Sequence, residues 1–87
     1  MTTFDQILQE VDGRCREEGI PMLGPEKAEF LATLVEKAHP SLIVECGTAI
    51  GYSGLWLLQV LSVTDEGRLI TIEIEADRAR EAQEHFV

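Results

Sequence analysis

Glu45, Gly47, Gly51 and Glu73 are the residues whose types and spacing could do chemistry. Glu45 closes the apolar run Leu42-Ile-Val, and the two glycines open the turn that follows. Glu73 sits at the end of a second apolar run, Leu69-Ile-Thr-Ile-Glu-Ile74. Strand, glycine turn and helix in that order are what a nucleotide-like cofactor needs. The strand brings an acid to its carboxyl end. The glycines, lacking a side chain, let the backbone turn tightly and approach a ligand. The helix then aims its free N–H groups at the same place. Glu73 lies 22 residues after Gly51, near the separation of about 20 at which a ribose-binding acid follows a glycine turn. Glycines also occur in βα turns that bind nothing. The two acids at neighbouring strand ends therefore carry the reading of a cofactor site.

The spacing E-x-G-x-A-x-G, with Ala49 between the glycines, is not the dinucleotide G-x-G-x-x-G. A pyrophosphate would be repelled by Glu45. S-adenosylmethionine has a cationic ammonium at one end, a ribose diol at the other and no pyrophosphate. Carboxylates suit both ends through charge-assisted hydrogen bonds. A NAD-binding fold is the weaker alternative on both counts.

Three stretches carry a family resemblance: V-E-C-G-T-A-I-G-Y-S-G-L-W-L-L, G-R-L-I-T-I-E-I-E-A-D-R-A and, upstream, P-M-L-G-P-E-K-A-E-F-L. Together they resemble the cofactor half of the class I S-adenosylmethionine-dependent methyltransferases. More specifically they look like the small-molecule O-methyltransferase branch related to catechol and caffeoyl-CoA O-methyltransferases, over nearly all of residues 20–86. The resemblance implies that Glu45 lies near the methionine end of the cofactor, with Gly47 and the 47–51 loop, Ala49 and Gly51 included, wrapped around it. By the same likeness Ser53 is the helix-start hydroxyl on the cofactor carboxylate. Glu73 binds the ribose hydroxyls, Ile74 packs beside the adenine, and Leu23 contacts the cofactor from the upstream loop. Ala49 stands where methyltransferases in general carry glycine, a position at which this branch is permissive.

The family's catalytic domain is more than twice as long as 87 residues. Its acceptor pocket, general base and metal-binding acids belong to later strands. The expectation is a partial Rossmann-like methyltransferase fold of α/β class, α-α-β-α-β-α with two parallel strands, forming one partial domain over residues 1–87. No catalytic residue or metal ligand is assigned, and a divalent metal such as Mg belongs only to a full-length form. Methyl transfer by these residues alone is expected to be undetectable. A two-stranded sheet leaves both edges unpaired, so self-association through the open edge is expected. The alternative function is a catalytically inactive module that binds the cofactor or a protein partner.

Composition excludes several classes. Sixteen acids against seven Lys and Arg give a net charge of −9, which repels nucleic acid and anionic membranes. No apolar run approaches the roughly 18–20 residues needed to span a bilayer. The start, Met-Thr-Thr-Phe-Asp-Gln, lacks the basic and apolar segments of a signal peptide. Cys15 and Cys46 read as free thiols in a reducing cytoplasm. The expected partner is a small hydroxylated acceptor.

The elements that must position the acids follow from period and caps. Residues 3–18 read as an amphipathic helix with Phe4, Ile7, Leu8, Val11 and Cys15 on one stripe, Thr3 and Gln6 at capping-box spacing and Gly19 closing it. Pro25 starts a second helix, with Ala28, Leu31, Ala32 and Val35 facing the core, and His39-Pro40 ends it. Strand one spans about 42–46, and its continuous apolar run suits burial on both faces. A helix is expected over about 53–61, a turn at Thr64-Asp-Glu-Gly67, strand two over about 68–74, and a helix from about Asp77 with Ala79, Ala82 and Phe86 inward.

Other residues invite sharper readings that the sequence does not favour. His39 reads as a helix-end residue and His85 as a solvated one. Cys46 has no flanking base and reads as a small apolar strand-end residue. Trp56, among leucines, reads as core. Tyr52, at the helix start beside the loop, divides evenly between ligand contact and packing. Glu75 and Asp77 suit the start of the last helix, and Glu17-Glu18 a solvated face.

Overall fold

A computed structural model describes residues 3–64 and 67–86. Its elements run α1 (Phe4–Glu18), α2 (Pro25–Ala38), β1 (Leu42–Cys46), α3 (Tyr52–Thr64), β2 (Arg68–Ile72) and α4 (Ala76–Phe86). This is the expected α-α-β-α-β-α order, with β1 and β2 parallel and paired from Leu42↔Arg68 to Cys46↔Ile72.

Local chemistry sets the helix ends. Gln6 N–H donates to Thr3 Oγ1 at 3.2 Å while Thr3 N–H donates to Gln6 Oε1 at 2.9 Å, so the capping box forms. Gly19 stops α1 in the left-handed region, its N–H bonded to Cys15 O. α2 has Pro25 in its first turn and ends at His39, also left-handed, whose N–H reaches Val35 O at 3.0 Å. Pro40 prevents continuation.

α3 is the central element. Ile50, just before it, with its Tyr52 and Leu55, packs against Val11 and Cys15 of α1 and Ala28 of α2. Its Leu57 and Leu61 pack with Val35 of α2 and the inward strand residues Ile43 and Leu69. Full burial of each such side chain contributes about 1.5–3 kcal/mol. α4 closes against α1 through a bidentate pair, in which Arg14 Nε and Nη2 donate to Glu81 Oε2 and Oε1 at 3.0 and 2.8 Å, and its Ala82 is buried beside Gly51. The Arg14 guanidinium holds the Glu81 carboxyl below its usual range. Desolvation on burial raises the Cys15 thiol.

Several expectations need correction. β1 is not buried on both faces: Ile43 and Glu45 point inward, whereas Leu42, Val44 and Cys46 are exposed. β2 repeats the pattern, with Ile70 and Ile72 exposed. The physical reason is that α2 and α3 cover one sheet face, and no described element covers the other. β2 also ends at Ile72 rather than residue 74. The amides of Gly47 and Thr48 both converge on Ile72 O, at 2.7 and 3.2 Å, and close the ladder there. Glu75 then caps α4, its carbonyl accepting from Ala79 N–H. α3 begins at Tyr52 and runs to Thr64, longer than expected. Of the turn Thr64–Gly67, Asp65 and Glu66 lie outside the described residues. His85 is not solvated: its side chain is 15% exposed, with Nε2 3.6 Å from Glu81 Oε2.

Candidate functional site

The β1–α3 loop is folded by three positive φ angles: Gly47 at 96°, Ala49 at 50° and Gly51 at 105°. Gly51 is needed for space as well as angle, since a Cβ there would come within 3.0 Å of the Phe86 ring. Ala49 occupies the left-handed region as a non-glycine, which its N–H partner helps to hold. That N–H donates to Glu73 Oε1 at 2.6 Å. Behind the loop, the first turn of α3 presents its amides toward it.

A cleft of about 380 Å³ opens between this loop and residues 21–23. Glu45 is the charged residue among those lining it. Its carboxylate accepts from the Ser53 hydroxyl through Oε2 and from Thr71 Oγ1 at 2.8 Å through Oε1. Thr71 stands directly opposite Glu45 in the ladder. The cleft thus presents a fixed carboxylate beside backbone amides and a hydroxyl, with apolar contact from Met22 and Leu23. Such a set can bind a cationic group and an adjacent anionic one.

Leu23, Glu45, Gly47, Ala49, Tyr52 and Ser53 all line the cleft. Gly51 lies one step behind, under Phe86. Glu73 does not line it. Its carboxylate accepts from Ala49 and from Glu75 N–H at 3.0 Å, and it borders a second cavity of about 220 Å³ with Thr48, Thr71 and Phe86. The amides of Glu75 and Ala49 hold the Glu73 carboxyl below its ordinary range. Ile74 is 94% exposed and touches neither cavity. Tyr52 is buried in the core and also lines the cleft. Trp56 is half-buried against the α1 cluster, as a core residue.

Sequence reasoning missed Thr71, held Thr48 only as part of the 47–51 loop and gave Cys46 no place in the site. Cys46 stands at the strand end as expected, and it is exposed and lines the cleft. Thr48 was visible as a loop residue between the glycines. Thr71 could have been found by pairing the two apolar runs in parallel register, which sets it against Glu45. Among the described residues no group of three or more His, Cys, Asp or Glu is disposed to hold a metal ion. No helix among them is long and apolar enough to cross a membrane.

Residues 5–87 match the O-methyltransferase family. The chain belongs to that family. A catechol O-methyltransferase of Niastella koreensis is 32% identical in an alignment that covers 94% of this chain and 37% of that protein. The O-methyltransferase TomG of Streptomyces achromogenes, involved in tomaymycin synthesis and solved with S-adenosylmethionine, superimposes with a TM-score of 0.82 at 30% identity. That match covers 99% of this chain and 39% of TomG. An O-methyltransferase of Bacillus cereus, solved with S-adenosylhomocysteine, gives 0.78 at 32% identity, covering 92% and 36%. The chain therefore spans little more than a third of the length of these family members. The family resemblance read from the three stretches together is borne out, as is the partial α/β fold.

Proposed function

We propose that residues 1–87 form the S-adenosylmethionine-binding portion of an O-methyltransferase acting on a small hydroxylated acceptor. The observation that carries this is Glu45, fixed by two hydroxyls at the side of the cleft with no Lys or Arg among the lining residues to neutralise it. A cofactor ammonium supplies that missing charge. The Ser53 hydroxyl and the start of α3 suit the adjoining carboxylate, with Leu23, Gly47, Ala49, Gly51 and Tyr52 shaping the wall. The far end of the cofactor belongs with Glu73. A carboxylate offers about four lone-pair sites, of which Ala49 and Glu75 take two, leaving two for a ribose diol. Exposed Ile74 beside it suits a flat ring. When bound, the cofactor supplies an electrophilic methyl group. These residues bind and orient it, and positioning is a large part of such catalysis.

We assign no metal ligand within residues 1–87, so any Mg would be held by a longer form. The free thiols of Cys15 and Cys46 support a cytoplasmic location.

The test is thermal. At about 100 times its dissociation constant, S-adenosylhomocysteine should stabilise the fold by about 2.7 kcal/mol, raising Tm by roughly 10–20 °C for a chain of this size. NAD should leave Tm unchanged. Stabilisation by NAD without stabilisation by S-adenosylhomocysteine would overturn the reading.

The exposed sheet face favours a second reading, that of an interaction module. Val44 is 56% and Ile72 55% exposed, and strand edges with such residues invite pairing. The isolated chain should associate with rising concentration by light scattering, and Val44→Lys should suppress this. A monomer that stays dispersed at millimolar concentration would refute it.

A further inference from the structure

We infer that Thr71 is a positioning residue for the cofactor site: its hydroxyl fixes the Glu45 carboxylate and ties the Thr48 loop position to β2. The inference rests on the cofactor reading above, but its geometry does not.

The hydroxyl partners establish a direction. A threonine hydroxyl has one proton to give and can accept others. Thr71 Oγ1 donates to Glu45 Oε1 at 2.8 Å, since an ionised carboxylate can only accept. The contact between Thr48 Oγ1 and Thr71 Oγ1 at 2.5 Å must therefore run the other way, with Thr48 donating. Proton order is then Thr48 to Thr71 to Glu45, with Ser53 donating to the other carboxylate oxygen. Thr48 is 4% exposed, so its hydroxyl depends on this partner.

The arrangement has a structural purpose. Ser53 alone would leave the carboxylate free to rotate about its Cγ–Cδ bond. A second donor from the facing strand removes that freedom and fixes the lone pairs the cleft presents. Thr71 also belongs to β2, and Glu73 follows it by two residues, just past the end of the strand. One hydroxyl thus couples the strand-one acid, the glycine loop and the strand that carries the second acid. Preorganised groups bind more tightly because less freedom is lost on binding.

Thr71→Val keeps side-chain volume but removes both bonds, whereas Thr71→Ser keeps the hydroxyl. By calorimetry, T71V should weaken S-adenosylhomocysteine binding about tenfold, and T71S should bind within about twofold of the parent protein. Thr48→Val, which spares the Thr71–Glu45 bond, should fall between them. A second readout needs no cofactor. Amide hydrogen exchange at Gly47 and Thr48, measured relative to Leu57 in the core, should accelerate about tenfold in T71V and not in T71S. Unchanged exchange in T71V, or T71S as fast as T71V, would overturn the inference. So would binding by T71V at parental affinity. If the parent protein fails to bind S-adenosylhomocysteine while exchange responds as stated, the cofactor reading falls and Thr71's positioning of the loop stands.

Discussion

Glu73→Ala should weaken S-adenosylhomocysteine binding about 10- to 100-fold, the loss expected when two charge-assisted hydrogen bonds to ribose hydroxyls are removed and water refills part of the gap. The structure adds a second route to the same loss. The Glu73 carboxylate also accepts the Ala49 and Glu75 amides, so its removal releases a left-handed loop residue and the entry to α4. Glu75→Ala is the matched control. Glu75 contributes its backbone N–H and carbonyl to this network, and both survive the substitution. Its affinity should stay within about twofold of the parent. Equal losses from the two variants would mean that the wrong carboxylate has been assigned to the ribose. pH provides an independent check. Because the folded-state pKa is depressed, the stabilisation due to ionised Glu73 is complete above the ordinary carboxylate value of about 4.3. It disappears as pH falls through the lower folded value. The Tm difference between the parent and Glu73→Gln should therefore shrink in acid; a difference that grows on acidification would contradict the stated hydrogen bonds.

Particular residues differ in how legible their roles are from sequence. Thr3, Gln6 and Gly19 announced α1 because caps are local: the groups that satisfy the free amides and carbonyls lie within a few residues. Glu45 and Gly47 were legible as neighbours in one site for the same reason, lying close together on a strand–loop–helix turn, whereas the family resemblance supplied Ala49 and Ser53. Leu23 came from the family resemblance alone, and its place in the cleft could not have been read from local pattern. Thr71 was not legible, because its meaning depends on which residue faces it across the sheet. Nor was the true engagement of Glu73. Its 22-residue separation from Gly51 fits a ribose acid, yet the spacing says nothing of the Ala49 amide that the carboxylate meets. The burial of β1 failed for a different reason. An apolar run reports what a strand can tolerate on each face, and exposure is decided by what else packs there. In the described residues α2 and α3 cover one side, leaving Leu42, Val44, Ile70 and Ile72 open on the other.

Gly67→Ala should be among the most destabilising single changes in the chain, although Gly67 is exposed and distant from the cleft. Its φ of 129° lies in a region that side chains rarely adopt, a strain of order 1–3 kcal/mol for a non-glycine residue. Space is also lacking. A Cβ would stand 2.7 Å from Pro40 O, 3.0 Å from Leu61 Cδ2 and 3.5 Å from Ser41 O. Leu61 could yield, but Pro40 O belongs to the backbone entering β1. The adjacent Ser41 O accepts Arg68 N–H at 3.1 Å, immediately ahead of the Leu42↔Arg68 pair. Relief of the clash must therefore shift the start of the ladder, adding about 1–3 kcal/mol as overpacking does in a core. A combined cost of about 2–6 kcal/mol is a large part of the 5–15 kcal/mol that holds a typical domain together. Tm should fall by roughly 10–45 °C. Gly13→Ala gives the opposite sign from the same chemical change. Gly13 lies within α1, has no positive φ, and has nothing within 4 Å of a Cβ. There the methyl group reduces the entropy of the unfolded chain and favours the helix, and stability should rise by about 0.5–1 kcal/mol. Thermal melts of the two variants side by side decide the matter. A Gly67→Ala protein that melts with the parent would mean the β1–β2 entry is not pinned as its hydrogen bonds require.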